Sequence, residues 1–433
     1  MKAKSAEIRD SELLRLPRML LLKQLFQSSS IHDIPSAMER AFSESLKAIK
    51  FPAGVEIAVA VGSRGIANLP VIVRETVRKI RAMGGRPFIV PGMGSHGGAT
   101  AEGQVRILEH LGITEESTGA PIRATMEVIN IGKTPHGIPV YVDRFAYEAD
   151  GIVIVNRIKP HTDFVGEMES GIMKMLTIGL GKQKGADYYH RVILEKGFVP
   201  VISAVAKEVL KRLNVLCAIQ IVENEKDQTS ILKCTPASKI EDTEKLLQIE
   251  AKRMFPTIPF DDIDLLIIDE MGKDISGPGM DPNVTGRNVV LSSQSPNRPR
   301  ITRIFVRDLT AGSEGSAVGI GNADFTSTRL VKKIDIKATA VNCITGCAPE
   351  CGRIPLAFDN DKEAIEAAFA CIRPVKPEHI RVVYIKNTLW LEEFMASEAF
   401  LEEIRQKDQL SILNEDAALV FDGKQNLVSP FSK

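Results

Sequence analysis

Short β-branched apolar runs alternate along this chain with segments whose apolar positions recur at helical spacing, and glycine or proline marks most of the change-overs. The run at 55–61 predicts a strand ending at Gly62-Ser63-Arg64-Gly65. A helix over about 70–83 closes on Gly84-Gly85. A second strand at 86–91 runs into the loop from Gly92 to Thr100, and a helix over 101–111 stops at Gly112. Residues 36–49 also show helical spacing, and 121–148 reads as an excursion of short extended pieces. The run 151–155 predicts a buried strand, 199–213 a helix, 215–222 a strand and 241–254 a helix. After the proline-punctuated connection 255–262 the pattern restarts with strands at 263–269, 301–306 and 381–386, and with helices near 361–371 and 391–405. Strand, short loop and helix in repeated alternation predict an α/β fold with largely parallel sheets. The pattern divides into two α/β lobes, 1–255 and 262–433, with the active site expected in the cleft between them.

Composition narrows the class. Of 433 residues, 44% are hydrophobic and 25% charged, which suits a globular α/β protein. The 55 basic and 55 acidic residues cancel, so bulk charge points to no nucleic-acid partner. No apolar run reaches the ~20 residues of a membrane span. Charges and a proline interrupt the first residues, so the start reads poorly as a signal peptide and a cytoplasmic location is expected.

The densest chemistry lies between Asn156 and Arg191, directly after the strand at 151–155. His161, Asp163, Glu167, Glu169, Lys174, Lys182, Lys184, Tyr188, Tyr189 and His190 fall there among five glycines, in what reads as one loop-rich segment. In an open parallel sheet the carboxyl ends of all strands share one edge, where ligands bind. Arg64, His96 and His161 each follow a predicted strand of the first lobe, so they are expected to converge. One such loop is explained equally by a tight turn with solvated polar groups; three on one edge favour a site. Histidine transfers protons at neutral pH, and arginine holds a carboxylate through two parallel hydrogen bonds. His190 adds an imidazole able to ligate a metal. Phosphate-binding, dinucleotide, zinc-protease and hydrolase-elbow motifs are all missing from the sequence.

The combination of Gly94-Ser-His-Gly-Gly-Ala-Thr100, Lys159-Pro-His161, Lys174 and His190 resembles the nickel-dependent lactate racemase family. The resemblance runs over roughly 10–215, making 1–255 the cofactor-binding domain and 262–433 the family's C-terminal α/β domain. It implies a nickel-pincer nucleotide tethered through Lys174, with His190 as nickel ligand, and cofactor-synthesis proteins as partners. It further implies His96 and His161 as the catalytic pair and Arg64 beside the substrate. The implied reaction is racemisation or epimerisation of a small 2-hydroxy acid by proton-coupled hydride transfer. Lactate-active members carry Asp-x-Thr-Arg where this chain has Val61-Gly-Ser-Arg64, so the expectation is a 2-hydroxy acid rather than lactate in particular.

Two further features stay open in the sequence. The glycine-rich loop 272–287 offers Lys273 and Arg287 either as substrate or cofactor-phosphate contacts or as surface charges. Cys343, Cys347 and Cys351 read either as buried structural thiols or, with Cys371 or another group as a fourth ligand, as the holder of an iron–sulfur cluster. The rival functions are accordingly an iron–sulfur redox protein and a non-catalytic relative that binds a small acid.

Overall fold

The computed structural model describes residues 16–45, 52, 54–291, 293 and 298–431. The chain divides into two compact units: residues 28–255, and residues 256–433 together with the chain up to Gln27.

The first described strand, β1 (Met19–Gln24), lies in the second of these units rather than with the residues that follow it. It pairs antiparallel with strands near the carboxyl end of the chain, so the amino-terminal lobe expected from residue 1 begins instead at Ser28. Its sequence, Met-Leu-Leu-Leu-Lys-Gln, is too short and too uniformly apolar to reveal its partner.

Unit 28–255 is built on a five-stranded sheet. Its strands are β2 (Glu56–Val61), β3 (Arg86–Pro91), β6 (Gly151–Arg157), β7 (Val215–Glu223) and β8 (Thr229–Pro236). A separate antiparallel hairpin, β4 (Val128–Lys133) and β5 (Pro139–Asp143), precedes β6. The sheet order is β3-β2-β6-β7-β8, parallel except for β8. Alternate residues of β2 enter opposite cores. Ala58 and Ala60 pack with the helices from 172 to 212, whereas Ile57, Val59 and Val61 face the helices Ile34–Ser45, Leu69–Ala82 and Ala101–His110. The helix Leu69–Ala82 buries Leu69, Ile72, Val73, Val77 and Ile80, a stripe at three- and four-residue spacing. With both faces covered, these strands read as continuous apolar runs.

From β2 the chain moves to β3 on one side and later to β6 on the other. The strand order therefore reverses between β2 and β6, which places a ligand crevice at the carboxyl ends of these neighbouring strands. The segment after β6 is less loop-rich than its glycines suggest. A helical turn, Ile172–Lys174, continues into a widened π-turn, Met175–Gly179, and then into the helix Lys182–Lys196.

The second unit holds an eight-stranded mixed sheet. Its further strands are β9 (Asp262–Met271), β10 (Arg300–Leu309), β11 (Phe325–Ser327), β12 (Leu356–Phe358), β13 (Val382–Ile385), β14 (Glu393–Ser397) and β15 (Leu410–Ala417). The order is β12-β11-β10-β9-β13-β14-β1-β15, parallel from β12 to β13. The helix expected over 391–405 is instead strand β14 followed by a short helix, Leu401–Arg405. Phe394, Met395 and Ala396 are all buried and pair with strands on both sides, and such a strand has no alternation to tell it from helix.

The three clustered cysteines do not form a metal cage. Among the described residues no group of three or more His, Cys, Asp or Glu side chains is gathered to hold a metal ion. The helix Ile336–Thr345 ends just after Cys343, Cys347 takes a left-handed backbone, and a tight turn carries Cys351 back against Cys343. Cys343 and Cys351 pack with Val290 and Ala348, and burial together with nearby Glu350 raises the Cys343 thiol pKa. A thiol disfavoured as thiolate is a poor iron ligand. Cys371 is exposed.

Candidate functional site

Three adjacent strand ends build the site. Strand β2 delivers Gly62, Ser63 and Arg64, β3 delivers the loop to His96, and β6 delivers Lys159 and His161. The ends are tied together. Ser63 Oγ is in short contact with His96 Nδ1, and Arg157 at the end of β6 pairs with Glu223 at the end of β7. His96 itself stays exposed.

His161 is held from several sides. Its backbone N–H donates to Glu169 Oε2 at 2.8 Å, and the other oxygen of the same buried carboxylate accepts from Gly166 N–H at 2.9 Å. Lys252 Nζ lies 2.6 Å from Glu169 and compensates its charge. The imidazole packs on Phe164 and Phe198, with ring centroids 4.9 and 5.5 Å away, and those two phenyl rings stack on each other. Burial, followed by the charges of Lys174, Lys159, His190 and Arg64, holds the imidazole pKa well below its ordinary value. The ring is neutral at physiological pH.

The position of its proton follows from the contacts. The Asp163 backbone N–H donates to His161 Nδ1 at 3.0 Å, so Nδ1 is the unprotonated nitrogen and Nε2 carries the hydrogen. Nε2 lies 2.6 Å from Lys174 Nζ. An N–H facing an ammonium would place hydrogen against hydrogen, so this contact favours the neutral form of the Lys174 amine as acceptor. Electrostatics shift the amine in the same direction while leaving it largely charged at pH 7. Burial brings the Lys174 pKa down to about 8, against the pull of Asp163, with Arg64 and Lys159 adding to the depression.

Lys174 is placed by its own turn. Glu244, buried on the helix Ile240–Arg253, accepts the backbone N–H groups of Ile172 and Met173 at 2.7 and 3.1 Å. Asn156 Nδ2 donates to Gly171 O at 2.9 Å. A side chain at Gly171 would meet the Glu244 carboxylate at 2.6 Å, so close approach of backbone to carboxylate is why glycine stands there. Burial pushes Glu244 up to about 7 against these two hydrogen bonds.

His190 lies two turns into the helix Lys182–Lys196. Burial and then the Lys174 charge lower its pKa, against Asp187, and leave a neutral imidazole of the kind metals bind. Lys174, His161 and His190 thus form one electrostatic cluster, on which Arg64 also acts. His96 belongs to the same strand edge through Ser63. Lys273 and Arg287 belong to the second unit. There Lys273 Nζ donates to Asn342 Oδ1 at 2.6 Å, and Arg287 is engaged by Asp324 at 2.6 Å and by the carbonyls of Ile301, Thr302 and Asn322.

The donor set suits a tethered nickel-pincer nucleotide: a buried amine of lowered pKa at Lys174 for the tether, and one neutral imidazole at His190 for the metal. Sequence reading named Asp163 and Glu169 in the dense segment without giving them a role, and passed over Ser63 and Glu244 as contributors. Ser63 was legible as the polar residue beside Arg64, and Glu169 as an acid within the same segment as His161. Asp163 acts through its backbone N–H as well as its charge, and Glu244 lies too far along the chain to leave a local signal.

The fold and site define a parallel α/β domain with a lysine–histidine pair at the switch point of its sheet. Residues 28–198 match the family model described as the lactate racemase N-terminal domain. The chain is also similar to the lactate racemase apoprotein of Thermoanaerobacterium thermosaccharolyticum, at 14% identity and a TM-score of 0.47, over 88% of this chain and 97% of that one. No curated protein matches the chain. Among the described residues, no helix is long and apolar enough to cross a membrane.

Proposed function

We propose that this protein is a racemase or epimerase of a 2-hydroxy acid, with Lys174 tethering a nickel-pincer nucleotide and His190 ligating its nickel. When bound, that group supplies an electrophilic centre for the α-hydrogen and its bonding electrons. The chain's own residues do the rest. His96 and His161 manage the hydroxyl proton, and Arg64 offers a guanidinium to the substrate carboxylate. Phe164 and Phe198 keep the His161 side of the crevice dry, which strengthens every polar contact made there.

The observation that carries this reading is the chain of contacts from Asp163 through His161 to Lys174. A lysine at an ordinary pKa near ~10.4 is almost wholly protonated at neutral pH and cannot attack an acyl group. Here the hydrogen on Nε2 favours the free lone pair on Nζ, and the pKa of about 8 makes that form far more accessible than in an ordinary lysine. Acylation of Nζ would delocalise that lone pair and release the Nε2 side of His161 to face a substrate oxygen.

The test is to load the full chain with the cofactor and screen chiral 2-hydroxy acids labelled with deuterium at the α-carbon. The expected result is inversion with the label kept, together with nickel retained by the wild type and lost by Lys174→Ala. Washout of deuterium into water, or equal nickel retention in the variant, would sink the proposal.

A further inference from the structure

Lys182 and Gln104 are fully buried, and neither belongs to the set of groups assigned to tether, metal, proton or carboxylate. Lys182 opens the helix that carries His190, and its backbone is left-handed with φ 52°. Its ammonium donates to Pro91 O at 2.5 Å and to Gln104 Oε1 at 2.9 Å, and it lies 3.1 Å from Asp143 Oδ2. The ammonium thus makes two hydrogen bonds and has a buried carboxylate beside it. A buried charge on a strained backbone persists only where its surroundings over-determine it.

Those surroundings lead to His96. Pro91 is the last residue of β3, where the His96 loop begins. Gln104 spends its amide on that same loop: Nε2 donates to Gly94 O at 2.9 Å and to His96 O at 3.3 Å. Gly94 N–H donates in turn to Gly179 O at 3.0 Å, just before the helix that Lys182 opens. The helix holding Gln104 is pressed against the loop, since a Cβ on Gly103 would come within 1.8 Å of Gly97 O. The ammonium of Lys182 thus fixes the loop of one histidine to the first turn of the helix bearing another. The exposed His96 imidazole has its backbone anchored from the interior.

We propose that Gln104 and Lys182 are positioning residues for His96, acting as a buried clamp that sets where its imidazole stands on the strand edge. The role of His96 in proton transfer rests on the function proposed above; the clamp itself does not. Substituting Gln104→Glu keeps the acceptor for Lys182 and removes the donors to Gly94 O and His96 O. Gln104→Met removes both sets and serves if the first variant does not fold.

Histidine-selective NMR titration of the full chain without cofactor reads His96 directly. The expected result is a displaced His96 titration curve, with the His190 and His161 curves unmoved. In the loaded protein, kcat is expected to fall about 10–100-fold with KM within about twofold, the pattern of a misplaced group rather than a lost binding contact. A His96 curve that superposes on the wild type in the folded variants, with only the melting temperature lowered, would overturn the clamp. If no 2-hydroxy acid is turned over by wild type or variant, the proposed function fails while the His96 titration still decides this inference.

Discussion

Lys174 Nζ lies 2.6 Å from His161 Nε2, while Nδ1 of the same ring accepts the Asp163 backbone N–H at 3.0 Å. Two residues 13 positions apart thereby influence each other's protonation: the imidazole is held neutral and the amine is made easier to deprotonate. Each can be tested without knowing the substrate.

The amine is expected to react early. With a pKa of about 8, against ~10.4 for a free lysine, Lys174 should be half deprotonated at a pH where surface lysines are almost fully charged. Acylation by a small amine-selective reagent, followed site by site by mass spectrometry, should give a rate for Lys174 that levels off above about pH 8. A rate still climbing steeply at pH 10, as for surface lysines, would contradict the depressed value.

Removing the lysine should change the histidine. After burial, Lys174 is the largest cause holding the His161 pKa down. Lys174→Met takes away a nearby positive charge, so the imidazolium becomes easier to form and the pKa rises. It should stay below 6.5, because burial by Phe164 and Phe198 remains. NMR titration of His161 in the variant measures both the direction and the ceiling.

Glu244 should leave a mark on stability. Its pKa rises from 4.5 in the free state to about 7 in the fold. Below pH 4.5 the carboxyl is neutral in both states and costs nothing. Between 4.5 and 7 the unfolded chain ionises first, so stability falls as pH rises, by about 3 kcal/mol in total above pH 7. Glu244→Gln keeps an acceptor for Ile172 and Met173 but cannot ionise, so urea unfolding should show a smaller loss of stability from pH 5 to pH 8 than in wild type. An unchanged pH slope would mean that Glu244 is not the responsible group.

The cysteines should behave as thiols in a protein interior. Iodoacetamide at pH 8 is expected to modify exposed Cys371 first and Cys343 and Cys351 far more slowly. Incubation of the reduced chain with iron and sulfide should leave no stoichiometric cluster. A stable visible chromophore lost on Cys343→Ala would revive the redox reading.

Much of the architecture was legible because its signals are local. The strands at 55–61, 86–91 and 215–222 and the helices between them announce themselves by apolar spacing and by glycine stops. Once the sheet is parallel, their carboxyl ends must share an edge, which puts Arg64, His96 and His161 on one side of the domain. The identity of the chemical groups was equally local, since an imidazole or a primary amine is what it is wherever it lies.

Tertiary structure decided what those groups are able to do. The assignment of β1 to the second sheet and the strand at 393–397 inside an expected helix depend on pairing, because a strand covered on both faces has no periodicity of its own. The cysteine spacing allowed a cluster that a left-handed turn at Cys347 and an apolar pocket do not form. Glu244 reaches Ile172 across 72 residues, and Lys182 reaches Gln104 across 78. Contacts at such separation leave no pattern in a window of sequence. Above all, the sequence supplies a lysine and a histidine, whereas burial and one backbone N–H from Asp163 decide that the first loses its proton more easily than a free lysine and the second holds its proton on Nε2. Protonation is a property of surroundings, and surroundings exist only in the fold.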